Sequence, residues 1–210
     1  TFMDDFRKIR ERLNTRPQWR RQNLTDAEIL SWLNVEVILT RGWAQNADKP
    51  FFVIPTSEKQ PVSTLYKLIF CPEIEPVYPA MPISHFRDPK DREQIDRFIE
   101  KLDRYFTVFN PLAVEIVGAV SVDDFQSAER MTINQHVKNR DLYLFVHQSK
   151  KLIAYWPGPI ASPGMSTEIY EAFSNGKDVW QIYLGKEASP FITSLTTAPK
   201  IFQSEDEFFA

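Results

Sequence analysis

An acidic residue stands where helical spacing asks for an apolar one. The stretch Ser162-Pro163-Gly164-Met165-Ser166-Thr167-Glu168-Ile169-Tyr170-Glu171-Ala172-Phe173 reads as a helix, with Ser162 as N-cap and Pro163 in the first helical position. Asn175-Gly176 stops it before the apolar run Val179-Trp180-Gln181-Ile182-Tyr183, a predicted strand. Met165, Ile169, Ala172 and Phe173 share one stripe of the helix, and Glu168 falls on or beside it. A carboxylate taken out of water without a partner costs several kcal/mol or titrates abnormally. A catalytic carboxylate fits this pattern, and so does a glutamate at the edge of the stripe whose head reaches water. Spacing alone leaves both readings open.

The elements that must position Glu168 alternate between strand and helix. Pro76 to Ala80 reads as a first strand, and Pro89 to Tyr105 as a helix with Ile95, Phe98, Ile99 and Leu102 at core-facing intervals. Phe106 to Phe109 is the next strand, ended by Asn110-Pro111. From Leu112 to Thr132 the pattern allows a strand over Val114 to Val120 and a short helix over Asp123 to Arg130, and two readings stay open for the stretch, a mobile substrate loop or an irregular connection. Asn139 to Gln148 is predicted helical with Leu142, Phe145 and Val146 inward, and it runs into the strand Leu152 to Trp156. This rhythm predicts an α/β fold, a doubly wound and mainly parallel sheet of flavodoxin-like or Rossmann-like type. In such sheets ligands sit beyond the carboxyl ends of the strands, where helix N-termini point their N–H groups. Tyr78, Ser162 and Glu168 gather at that rim.

Residues 1–73 read differently, as an N-terminal, mostly helical extension with short strands preceding an α/β domain over 74–210. Phe6, Ile9 and Leu13 share a helix face, and Thr25-Asp26-Ala27-Glu28 is a capping box that opens a second helix through Ile29, Leu30, Trp32 and Leu33. Val35 to Leu39 and Phe51 to Ile54 read as short strands. Pro61 to Phe70 is a helix with Leu65, Leu68 and Ile69 inward. It faintly resembles the tail of a P-loop nucleotide kinase, which suggests a kinase domain upstream or separate, although the chain contains no GxxxxGK[ST].

Composition narrows the function classes. A net charge of -3 and the lack of a basic block argue against a nucleic-acid partner. Cys71 is the lone cysteine, so an intramolecular disulfide is excluded and a reducing, cytoplasmic location is expected. His85, His136 and His147 are too scattered for a metal motif and are expected to be surface or hydrogen-bonding residues. No apolar run of membrane length and no signal peptide is present, and Thr1 suggests a trimmed piece of something longer.

Three stretches then carry a family resemblance. Val77-Tyr78-Pro79-Ala80-Met81-Pro82 resembles the opening strand of the nucleoside 2-deoxyribosyltransferase family. Asn139-Arg140-Asp141-Leu142 with Ile153-Ala154 is similar to its middle helix and strand, and Ser162-x-Gly164-x-x-x-Glu168 to its catalytic turn, most closely in 2′-deoxynucleoside 5′-phosphate N-hydrolases. The resemblance implies Glu168 as nucleophile, Asp141 as the carboxylate that positions the sugar or assists the leaving base, and Tyr78 as hydrogen-bond donor to the nucleophile. It assigns Ser162, Gly164, Met81 and Trp156 to substrate binding. It also implies a nucleoside or nucleotide substrate, a homodimer in which the Phe-rich ending is a candidate contact surface, and no cofactor or metal. Breaking an N-glycosidic bond develops oxocarbenium character at C1′, which a carboxylate below the sugar stabilises before forming a glycosyl ester. Whether water or another base then attacks C1′ separates hydrolase from transferase. Two other readings stay beside this one: NAD glycohydrolysis, as in Toll/interleukin-receptor-like domains, and a non-catalytic nucleotide-binding module.

Overall fold

The computed structural model describes residues 2–3, 6–16, 24–56, 61–85, 89–114, 128–160 and 162–210. In chain order the first elements are β1 (Phe2–Met3), α1 (Phe6–Thr15), α2 (Asp26–Asn46), β2 (Ile54–Pro55) and α3 (Pro61–Phe70). They are followed by β3 (Pro76–Ala80), α4 (Pro89–Leu102), β4 (Thr107–Val108), α5 (Ala128–Asn139) and β5 (Lys151–Trp156). Last come α6 (Pro163–Ser174), β6 (Asp178–Tyr183), α7 (Pro190–Thr193) and α8 (Glu205–Phe209). The chain divides into two compact units, Thr1–Pro61 with Leu112–Leu144 and Val62–Pro111 with Phe145–Ala210.

The first unit is mainly helical. Its longest element, α2, opens on the predicted capping box: Thr25 Oγ1 accepts from Glu28 N at 3.2 Å while Glu28 Oε2 accepts from Thr25 N at 2.8 Å. The helix then runs 21 residues and takes in Val35 to Leu39, which the local sequence suggests as a strand. β-branched residues cost only a few tenths of a kcal/mol each in a helix, whereas a capped nucleus gains a hydrogen bond per residue added. Burial supplies the rest, since Ile29, Leu30 and Val37 face inward and Leu30 packs with Leu33 on Ile133 of α5. The opposite face leaves Val35, Ile38, Leu39 and Trp43 exposed. The strand expected over Phe51 to Ile54 shrinks to β2, which pairs in parallel with β1. Val114 closes a 3-10 turn, Pro111–Val114, rather than opening a strand, and residues 115–127 of that stretch lie outside the described residues.

The second unit is built on a parallel sheet of four strands in the order β4-β3-β5-β6. All residues of β3 and β5 are buried, as a sheet covered on both faces requires. Side chains alternate along a strand and neighbours in register share a face. Tyr78 is paired with Leu152, so Tyr155, three residues further along β5, projects to the opposite side. Phe98 of α4 stacks on Tyr155 with ring centroids 4.3 Å apart, whereas α6 reaches Tyr78 through Glu168. Helices therefore cover both faces, and the architecture is the mixed α/β, Rossmann-like one expected from the alternation. The core positions Ile95, Phe98, Ile99 and Leu102 of α4 are buried as the spacing predicts. In α3 the inward position is taken by Thr64, and Ile69 and Phe70 are exposed.

The Phe-rich ending is used within its own chain. Phe202 makes a parallel bridge to Ile182 at the β6 edge, and Phe208 packs edge-on against Trp180 at 6.1 Å. Glu205 of α8 accepts from Tyr155 Oη at 2.9 Å and pairs with Lys101 at 2.8 Å.

Candidate active site

The strand order contains a switch point between β3 and β5. β3 is followed by α4 on one face of the sheet and β5 by α6 on the other, so the chain leaves these adjacent strands in opposite directions. Ligands of open α/β sheets bind at such a switch point, beyond the carboxyl ends of the strands. Tyr78 lies on β3, and α6 carries Ser162 at its cap and Glu168 in its second turn.

Tyr78 and Glu168 meet directly. The Tyr78 hydroxyl donates to Glu168 Oε1 at 2.8 Å. Met165, Ile169 and Ala172 form the buried stripe of α6, Phe173 is 39% exposed, and Glu168 is half-buried at the stripe's edge. The carboxylate is thus partly desolvated and held by a neutral donor that is itself 1% exposed. A hydrogen bond to a charged group contributes about 1.5–3 kcal/mol and fixes its direction without neutralising it. That combination suits a group that must present negative charge to a developing cation.

Ser162 is buried and caps α6, accepting from Met165 N at 3.4 Å, and its carbonyl accepts from Ser166 N at 2.9 Å. Pro163 has no N–H, and in the second helical position the N–H of Gly164 has no partner one turn back. A Cβ built on Gly164 would meet nothing within 4 Å, so packing of the protein itself does not demand glycine there. Met81 follows β3 and is 3% exposed. Trp156, at the end of β5, is 1% exposed, and its Nε1 donates to the buried Gln181 Oε1 at 3.2 Å. Its ring is a wall of the core beside Tyr183, at 6.4 Å between centroids.

Asp141 belongs to the other compact unit, in the π-helix Arg140–Val146 that continues α5. The adjacent Arg140, 4% exposed, grips it in bidentate fashion, Nε to Oδ1 at 2.7 Å and Nη2 to Oδ2 at 3.1 Å. A third nitrogen of the guanidinium donates to the Val114 carbonyl. Burial pushes the Asp141 carboxyl above its usual range, and the Arg140 charge pulls it back only in part. His136 of the same unit is buried with Nδ1 3.0 Å from Asn34 Oδ1, and desolvation, aided by Arg140, lowers its pKa to about 4.

Among these residues the structure brings Tyr78 and Glu168 together, and places Ser162 and Gly164 at the start of the same helix. Two further residues of α6's surroundings escape a reading by motif. Glu171, one turn after Glu168, meets His147 at 2.7 Å, and Lys177 donates to the carbonyls of His147 and Ser149 at 2.8 and 2.6 Å. The signal for Glu171 was its three-residue interval from Glu168, a same-face spacing that solvated acids share. Among the described residues no group of His, Cys, Asp and Glu is arranged to hold a metal ion, and no helix is long and apolar enough to cross a membrane.

No protein-family model matches the chain, and no curated protein matches its sequence. Among solved structures, a 2-deoxyribosyltransferase from the psychrotolerant bacterium Bacillus psychrosaccharolyticus, described as a biocatalyst for nucleoside synthesis, is similar with a TM-score of 0.45 and 16% identity. That likeness covers 64% of this chain and 90% of the other. A conserved protein from Enterococcus faecalis V583 is similar with a TM-score of 0.34 and 20% identity, over 52% of this chain and 64% of its own, under two thirds of its length. Both are distant, partial structural matches.

Proposed function

We propose that this chain breaks the N-glycosidic bond of a nucleoside or its 5′-monophosphate, with Glu168 as the nucleophile. The observation that carries the proposal is the Tyr78 hydroxyl on Glu168 Oε1 at 2.8 Å, at the switch point of the sheet. A Glu168 oxygen attacks C1′, the C1′–N bond breaks, and the base leaves with the bonding electrons and takes a proton from solvent, to which the attacking water later returns one. Water then attacks C1′ of the glycosyl ester, releases the sugar and restores the carboxylate; an acceptor base in place of water gives transfer. Tyr78 keeps the carboxylate aimed through this cycle. Ser162 and the Gly164 N–H, at the positive end of the α6 dipole, receive the 5′-hydroxyl or 5′-phosphate.

The test is incubation with a panel of deoxynucleosides and their monophosphates, reading free base by chromatography with and without an acceptor base. Release that depends on Glu168 supports the proposal. Unimpaired release by Glu168→Gln removes the nucleophile assignment. Binding of the panel without turnover by the native chain makes it a binding module instead. A homodimer rests on the family resemblance alone, and light scattering at micromolar concentration tests it separately.

A further inference from the structure

The residues behind Tyr78 and Glu168 tie the two together. Phe145 is fully buried, and its ring faces that of Tyr78 with centroids 6.5 Å apart and planes tilted by 33°. It leaves the chain within the π-helical stretch, where bonding from i to i+5 widens the turn and moves side chains off the α-helical phase. Its carbonyl accepts from Ser149 Oγ at 2.8 Å, which fixes the backbone at its base. The residues just beyond it are fastened to α6. His147 Nε2 lies 2.7 Å from Glu171 Oε1, and Lys177, past the end of that helix, donates to the carbonyls of His147 and Ser149 at 2.8 and 2.6 Å. Segment 145–149 therefore grips β3 through the Tyr78 ring and α6 through Glu171 and Lys177. Those two elements carry the two halves of the candidate site.

We infer that segment 145–149 is a bracket that keeps Tyr78 in register with Glu168, and that Phe145 is a positioning residue for the phenol. The inference rests on the reading of Glu168 as nucleophile. Phe145 touches no reacting atom; it acts through the angle at which the Tyr78 ring is held. A displacement of about 1 Å in a catalytic constellation costs up to 100-fold in rate. Phe145→Leu keeps an apolar side chain in the core but gives up the aromatic ring that packs beside that of Tyr78.

A kinetic double-mutant cycle with Tyr78→Phe tests it. Phe145→Leu is expected to lower kcat for base release about tenfold with KM changed less than twofold. In the Tyr78→Phe background it should cost nothing further, because the group it positions is gone. Glu171→Ala should lower kcat in the same way, and Glu171→Gln, which still accepts from His147, should restore it. Equal losses in both backgrounds, or a lowered thermal midpoint with kcat unchanged, would overturn the inference. Phe145→Met replaces the Leu variant if that one does not fold. If the native chain releases no base at all, the proposed function fails by itself, and the bracket is read from stability instead. Thermal midpoints of Phe145→Leu, Glu168→Gln and the double variant that do not add then support it, and additive midpoints overturn it.

Discussion

Glu168 and Asp141 bear the same functional group in the two compact units, and the protein holds them in different ways. Glu168 is half-buried and accepts from the Tyr78 phenol, which directs it. Asp141 is locked to a buried guanidinium by two hydrogen bonds, and the Arg140 charge offsets part of the cost of burying the carboxylate. A phenol orients a carboxylate without adding a countercharge, whereas a guanidinium does both. The surroundings differ as well. Glu168 sits on a helix whose N-terminus opens on the strand ends, whereas Arg140 also binds the Val114 carbonyl and so ties a helix to a turn.

The largest expected effect tests the first half of this contrast. Glu168→Gln should lower base release by about 1,000-fold or more, since the amide forms no glycosyl ester and brings no negative charge to C1′. Its thermal midpoint should stay unchanged or rise, because a partly desolvated charge is removed. A variant that loses its fold instead would make Glu168 a structural residue.

Asp141→Asn sharpens the other half. It removes the carboxylate that the buried Arg140 guanidinium grips, and breaking a buried pair in this way costs about 3–5 kcal/mol of stability. Urea denaturation of the variant measures the loss. If the variant keeps its stability but loses more than 100-fold in base release, the catalytic role implied by the family resemblance belongs to Asp141 after all.

Acid should act on the helical unit through His136. Its folded pKa of about 4 lies below the ordinary value of 6.5, so the unfolded chain takes up the proton more readily. The stabilisation is complete above pH 6.5 and is lost as pH falls toward 4, by about 3 kcal/mol at most for a shift of this size. The raised carboxyl of Asp141 works in the opposite sense, favouring the fold only while it is protonated at the low end of the range. Urea midpoints at pH 7.5, 6 and 5 should therefore decline for the native chain. They should decline less for His136→Gln, and equal declines would remove His136 as the cause.

The smallest effect separates capping from substrate binding. Ser162→Ala removes the cap on α6 and should cost about 1 kcal/mol of stability. If Ser162 also receives the 5′ end of the substrate, KM for the monophosphate should rise more than the thermal midpoint explains. A change in stability alone would leave it a cap.

How much of the fold and the site was legible in the sequence depended on how local the cause was. The cap at Ser162, the stop at Asn175-Gly176 and the capping box at Thr25 depend on side chains within one turn of the backbone groups they satisfy, and each was legible. So was the α4 core face, because 3.6-residue periodicity follows from helix geometry alone. Val35 to Leu39 misled for the same reason reversed: its β-branched composition is a weak local preference, overruled by α5 packing against Leu30 and Leu33. The stripe on α6 likewise marked Glu168 as unusual without saying what held it.

By itself the sequence determined that this chain forms capped helices and mainly apolar strands in alternation, since propensity, turn chemistry and periodicity act over a few residues. Only the tertiary structure decided that Tyr78 reaches a glutamate 90 positions away and that the Phe-rich ending folds back on its own sheet. Those outcomes depend on strand order and on which face of the sheet each helix covers. Strand order and helix placement are fixed by the burial of the whole domain, and no local run of residues encodes them.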